Sequence, residues 1–152
     1  EIDDAIANGG NSLDMVINIG ALKDGNIDLV REEIQGLVDK AKAAGALSKV
    51  IIEVGYLTDE EIATVTKSVS ECGAGYVKTA SGSAGLPDVH QLKVMKANVS
   101  GKTKLKLSGV PRQFVLSACL RMLEMGVELI GTRSSCKIVD EYAEYLKEKE
   151  QA

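Results

Sequence analysis

Tryptophan is absent from this sequence and aromatic residues make up only 3% of it, so the core must be built from smaller side chains. Ala, Val, Ile and Leu supply nearly all of the 45% hydrophobic content, which suits closely layered helices and strands. Basic clusters are also missing. With a net charge of −4, a pI near 5.1 and dispersed Lys and Arg, the chain offers no electrostatic footprint for nucleic acid or an anionic membrane. No apolar run approaches the roughly 18 residues needed to cross a bilayer, and no basic-then-apolar leader opens the chain. The three cysteines, Cys72, Cys119 and Cys136, are far apart and lack CxxC or Cys/His metal spacing. Reduced thiols in cytoplasm, no metal and a small-molecule partner are therefore expected. An initiator Met is missing too: the chain opens on Glu1 in a helical pattern, so further sequence is expected upstream.

What is present fits one domain. At 152 residues and 16.1 kDa the chain can bury about two-thirds of the surface its unfolded form exposes. Short apolar runs alternate with longer stretches of helical period, the pattern of successive βα units on a parallel sheet. Five strands are predicted, over Leu13–Ile19, Lys49–Val54, Gly75–Lys78, Thr103–Lys106 and Glu128–Gly131. Helices are predicted over Ile27–Ala44, Thr58–Cys72, Leu86–Ala97, Pro111–Met125 and Cys136–Lys149, after a stub from Ile2 to Ala7. Thr58 and Glu61 form a capping-box pattern, and Gly45 and Gly73 stand where helices should stop. Five parallel strands make either an open doubly wound sheet or part of a (β/α)8 barrel, and periodicity does not choose between them.

Lys78 closes the short apolar run Gly-Tyr-Val-Lys and shares a face with Tyr76. In a barrel that face is the interior, where desolvation lowers an amine's pKa and makes it nucleophilic. Lys106 ends the next strand, so two amines would stand side by side and disfavour each other's charge. Alone, either lysine reads more readily as a solvent-facing strand end. Asp14 opens the first strand, on a face with Val16 and Asn18; a carboxylate inside such a core would be a proton relay, and outside it an ordinary turn residue. Three strand-to-helix junctions, Ser81–Gly85, Ser108–Gly109 and Gly131–Ser135, are rich in small residues. Their amides and hydroxyls, at Gly82, Gly109, Gly131 and Ser134, with Arg112 and Arg133 nearby, suit a phosphate. Ser100-Gly-Lys-Thr103 looks like the tail of a P-loop but follows a helix, Asn98-Val-Ser100 is a sequon only in a secreted protein, and His90 reads as a surface residue. The Lys/Glu-rich segment Glu141–Glu150 reads as a solvated helix face.

Three segments together, Asp14-Met-Val-Ile-Asn-Ile-Gly-Ala-Leu-Lys23, Val50-Ile-Ile-Glu-Val-Gly-Tyr-Leu-Thr-Asp59 and Tyr76-Val-Lys-Thr79, resemble the deoxyribose-phosphate aldolases. The resemblance implies a parallel (β/α)8 TIM barrel, here as about five βα units over residues 1–152, with three N-terminal units absent. It implies a cofactor-free class I aldolase that cleaves 2-deoxyribose 5-phosphate to acetaldehyde and glyceraldehyde 3-phosphate. Lys78 would be its Schiff-base lysine, Lys106 the second lysine and Asp14 the proton relay. Departures accompany the match. Where the family has a Gly-Gly pair and then arginine, this chain has Gly109-Val110-Pro111-Arg112, losing a glycine and an amide. Arg133 stands where serine is usual, and Ser83 where a lysine or aromatic is common. Two other readings stay open. One is a lysine-dependent aldolase with a different substrate, an unphosphorylated one included. The other is a non-catalytic barrel module. Five strands leave two open edges, which a longer polypeptide or another chain, including a homo-oligomer partner, would cover.

Overall fold

The structure is a computed structural model and describes residues 1–150. In chain order the elements are α1 (Ile2–Ala7), β1 (Ser12–Val16), α2 (Ile19–Lys23), α3 (Ile27–Ala43), β2 (Leu47–Ile51), α4 (Asp59–Glu71), β3 (Tyr76–Lys78), α5 (Val89–Asn98), β4 (Lys104–Leu107), α6 (Leu116–Glu124), β5 (Val127–Ile130) and α7 (Ser135–Glu150). All strand pairs are parallel and the sheet order is β1-β2-β3-β4-β5. A doubly wound sheet requires a reversal of strand order, and this one has none. The winding is that of a barrel wall, left unclosed because β1 and β5 each have one strand neighbour among the described residues.

The two faces of the sheet differ as a barrel wall demands. Leu13, Val50, Val77 and Leu105 point to the helical side and pack into one core with Val30, Ile34 and Leu37 of α3, Ile62, Val65 and Val69 of α4, and Leu92 and Met95 of α5. Each such side chain contributes about 1.5–3 kcal/mol by leaving water, so the helical layer fixes which face of each strand turns inward. The opposite face carries Asp14, Val16, Lys49, Lys78, Lys104 and Lys106, and Val16 there is 44% exposed. Lys104 on this face pairs with Glu128 at 2.6 Å.

Local chemistry moves several boundaries. β1 stops at Val16 rather than Ile19 because the Asn18 side chain accepts the Ala21 N–H at 3.0 Å and starts α2. β2 stops at Ile51 rather than Val54, since Glu53 turns left-handed with φ 56°. β4 begins at Lys104, the Thr103 hydroxyl being donated to the Ala74 carbonyl. α5 begins at Val89 rather than Leu86: Pro87 disfavours helical backbone at Leu86, and Asp88 with Gln91 forms a capping box. α6 begins at Leu116 rather than Pro111, because Val115 before it is extended, with φ −122° and ψ 159°. The Thr58–Glu61 capping box is present, and Gly45 and Gly73 are left-handed with φ 66° and 76°. Thr58→Ala is expected to destabilise the protein by about 1 kcal/mol, read from denaturant melts, through loss of the amide acceptor at the start of α4.

Candidate active site

Strand register brings the polar residues of the inner face together. Asp14 lies opposite Lys49, and one step toward the carboxyl edge Lys78 lies opposite Lys106. The Asp14 carboxylate is the hub. Its Oδ1 is 3.2 Å from the Lys78 ammonium and 3.9 Å from that of Lys106, while Oδ2 accepts from Lys49 at 3.2 Å. Lys49 also donates to the Ser12 hydroxyl. The side chains of Lys49, Lys78 and Lys106 are 9%, 14% and 14% exposed and that of Asp14 is 33% exposed, so water screens the four charges from one another only in part.

Three amines facing one carboxylate leave a surplus of positive charge, and the protonation equilibria respond. Burial lowers the Lys106 pKa below an ordinary lysine's; the charges of Lys78 and Lys49 act in the same direction, against the pull of Asp14. At Asp14, burial works to raise the pKa. The charges of Lys78 and Lys106 and the hydrogen bonds from Lys78 and Lys49 outweigh it, so the carboxyl titrates below its usual range. The cluster therefore holds a firmly ionised carboxylate beside an amine biased toward losing its proton, which is a proton-transfer arrangement.

A cavity of about 470 Å³ opens over the carboxyl ends of β3, β4 and β5, a size suited to a small ligand. Lys78 and Lys106 form part of its lining, and so do Gly82, Gly109, Arg112, Gly131 and Arg133, residues from all three small-residue junctions. Asp14 reaches the lysines from the side, and Ser134 lies outside the lining, its hydroxyl turned to the Arg112 carbonyl. Val110 and Pro111 also face the cavity, so it carries an aliphatic wall and lacks one amide. The junctions are tied underneath by buried hydroxyls: Thr79 donates to the Ser108 carbonyl at 2.8 Å, and Ser108 donates to the Ala80 carbonyl at 2.5 Å. Among the described residues no group of His, Cys, Asp and Glu is placed to hold a metal ion. His90 sits on the surface against Asp59 at 2.7 Å.

Sequence reasoning missed Lys49 and Glu53. Lys49 becomes a site residue only through its register with Asp14, which a single strand does not reveal. Glu53 carried a visible signal, a carboxylate in the apolar run Val50–Val54, and the structure buries it to 2% exposure.

No family model matches the chain. Curated relatives do. The chain is 40% identical over 149 residues to the deoxyribose-phosphate aldolase of Bacteroides thetaiotaomicron, 97% of this chain and 61% of that protein. It is 44% identical over 142 residues to that of Clostridium tetani, 93% of this chain and 64% of the relative. Among solved structures, QR15, an aldolase, superposes with a TM-score of 0.83 at 31% identity, covering 94% of this chain and 65% of QR15. The deoxyribose phosphate aldolase of Aeropyrum pernix, described as a tetramer, shares the fold at a TM-score of 0.79 and 24% identity, covering 93% of this chain and 59% of its own. The resemblance read from the sequence is thus matched by curated relatives named deoxyribose-phosphate aldolase over nearly the whole chain, and the chain spans about three-fifths of their length.

Proposed function

We propose that this chain carries the catalytic part of a Schiff-base lyase acting on 2-deoxyribose 5-phosphate, with Lys78 as nucleophile. The observation that carries the reading is the convergence on Asp14 of Lys78 and Lys106, both of which line the cavity. The Lys78 amine adds to the C1 aldehyde, and the carbinolamine loses water to give an iminium. Loss of the C3 hydroxyl proton breaks the C2–C3 bond, and its electron pair moves into the iminium to form an enamine. Glyceraldehyde 3-phosphate departs, C2 takes up a proton, and water releases acetaldehyde and regenerates the amine. Asp14 and Lys106 move the protons, Asp14 through a bound water. Lys49 fixes the orientation of Asp14 by occupying Oδ2.

Arg112 and Arg133, with backbone at Gly82, Gly109 and Gly131 and the Ser134 loop, hold the phosphate in the same reading. Three further βα units, matching the part of the relatives beyond the aligned region, close the barrel and cover β1 and β5. A homo-oligomer and a cytoplasmic location, with Cys72, Cys119 and Cys136 as free thiols, complete the reading. No helix is long and apolar enough to cross a membrane among the described residues.

Borohydride reduction in the presence of acetaldehyde tests the chemistry. The expected product is an ethyl group on Lys78, located by peptide mapping, and an unmodified Lys78 in folded, full-length protein overturns the proposal. The aliphatic wall of Val110 and Pro111 favours a second reading, an aldolase for an unphosphorylated sugar. Higher kcat/KM for 2-deoxyribose than for its 5-phosphate would select it. Gly109→Ala separates the two as well. A Cβ at Gly109 would stand 2.9 Å from Ala80 Cβ on backbone with φ 76°, so the Gly82–Gly109 contact must open. KM for the phosphorylated sugar is expected to rise about tenfold or more in steady-state assays, a misplacement effect of the kind that costs up to about 100-fold.

A further inference from the structure

The turn after β2 holds an arrangement that the proposed chemistry leaves unused. Glu53 is the only non-glycine residue with positive φ among those described, at 56°, and it is 2% exposed. Left-handed backbone is unfavourable for glutamate, and so is a carboxylate removed from water. Both persist because the carboxylate has a partner: its two oxygens accept the Ser81 N–H at 3.0 and 3.2 Å. Two more contacts press the same turn against the same loop. The Val54 N–H donates to the Thr79 carbonyl at 3.0 Å. Gly55 approaches Ala84 so closely that a Cβ there would lie 1.9 Å from the Ala84 carbonyl oxygen. On its other side this loop meets Gly109, where a Cβ would stand 3.3 Å from the Gly82 nitrogen. Ser81, Gly82 and Gly109 line the cavity beside Lys78. An unbroken set of contacts thus runs from Glu53 to the backbone that lines the cavity.

We propose that Glu53 is a positioning residue for anion recognition: by gripping the Ser81 amide from beneath, it holds Gly82 against Gly109 in the geometry that seats a phosphate. It touches no substrate. It sets the preference for phosphorylated over neutral sugars through the shape of the loop, as strain concentrated beside a binding loop suggests. The proposal rests on the aldolase reading for the identity of the sugar, whereas its anion site is measurable without turnover.

Binding of inorganic phosphate, followed by the amide resonances of Gly82 and Gly109, and kinetics on 2-deoxyribose 5-phosphate and 2-deoxyribose test it in the full chain. Glu53→Ala removes the acceptor and Glu53→Asp withdraws it by one methylene. Each is expected to weaken phosphate binding and raise KM for the phosphorylated sugar about tenfold, leaving kcat/KM for 2-deoxyribose within about twofold. Glu53→Gln keeps an oxygen in place and is expected to return to within about threefold of the parent. If Glu53→Ala does not fold, the Asp and Gln variants decide. Equal losses on both sugars, unchanged phosphate binding in Glu53→Asp, or no rescue by Glu53→Gln overturns the proposal. If the parent protein turns over neither sugar while phosphate binding still falls in the order parent, Gln, Asp, the aldolase reading fails and the role of Glu53 stands.

Discussion

Lys78→Met is expected to lower turnover of 2-deoxyribose 5-phosphate by about four to six orders of magnitude, the scale on which loss of a covalent nucleophile acts. The borohydride-trapped ethyl adduct should disappear with it. Methionine is a fair replacement because the Lys78 side chain is only 14% exposed, so its stem is packed and a flexible apolar chain of similar length fills the same space. The neighbouring charges indicate why Lys106 should not substitute for it. Removing the Lys78 ammonium takes away one of the charges that lower the Lys106 pKa, while the opposing attraction of Asp14 stays. Lys106 is then held more firmly as a cation and is a poorer nucleophile. Lys78→Arg supplies the contrast. It keeps a positive charge near Asp14 but offers no amine that can be deprotonated, so it should be as inactive as the methionine variant. If Lys78→Arg retains more than about one-tenth of parental turnover, Lys78 acts as a charge and the covalent mechanism is wrong, since a guanidinium cannot replace the nucleophile.

How much of this was legible in the sequence depends on the distance over which each feature is determined. Asp14, Lys78 and Lys106 were readable because each is a polar residue in a short apolar run, and strand parity is a local property. The capping box at Thr58 and the left-handed stops at Gly45 and Gly73 are equally local, and they stand where the pattern put them. Features that depend on a second segment were not legible. The Arg112 carbonyl ahead of α6 accepts the hydroxyl of Ser134, 22 residues downstream. Lys49 joins the site through the register of β2 against β1. The choice of barrel wall over doubly wound sheet needed the strand order, which periodicity does not contain. Ser134 stands in the sequence as a hydroxyl in a small-residue junction, and composition does not show that this hydroxyl is turned toward the Arg112 carbonyl. Glu53 is the intermediate case: its burial was suggested by an apolar neighbourhood, its left-handed backbone by nothing local.

Lys106→Met should raise thermal stability and lower activity in the same protein. The sign follows from linkage. The folded-state pKa of Lys106 is depressed, chiefly by burial and further by Lys78 and Lys49, so between that value and the ordinary lysine range the unfolded chain binds more protons than the folded one. Stability then rises with pH through that window, and the cost of holding Lys106 protonated is complete below it, including at neutral pH. Methionine carries no such cost. It leaves Asp14 its nearer partners, Lys78 at 3.2 Å and Lys49 at 3.2 Å, and removes only the 3.9 Å contact. A rise in Tm of about 2–4 °C at neutral pH is expected, corresponding to about 1 kcal/mol in a domain of this size. The gain should shrink as melts are repeated toward the pH at which Lys106 is neutral in both states. Turnover should fall by about 100- to 10,000-fold, the usual contribution of a positioned proton-transfer group, and the alkaline limb of the pH–rate profile should shift with it. A variant that loses Tm would show instead that the Lys106 ammonium stabilises the folded cluster around Asp14, against the linkage argument.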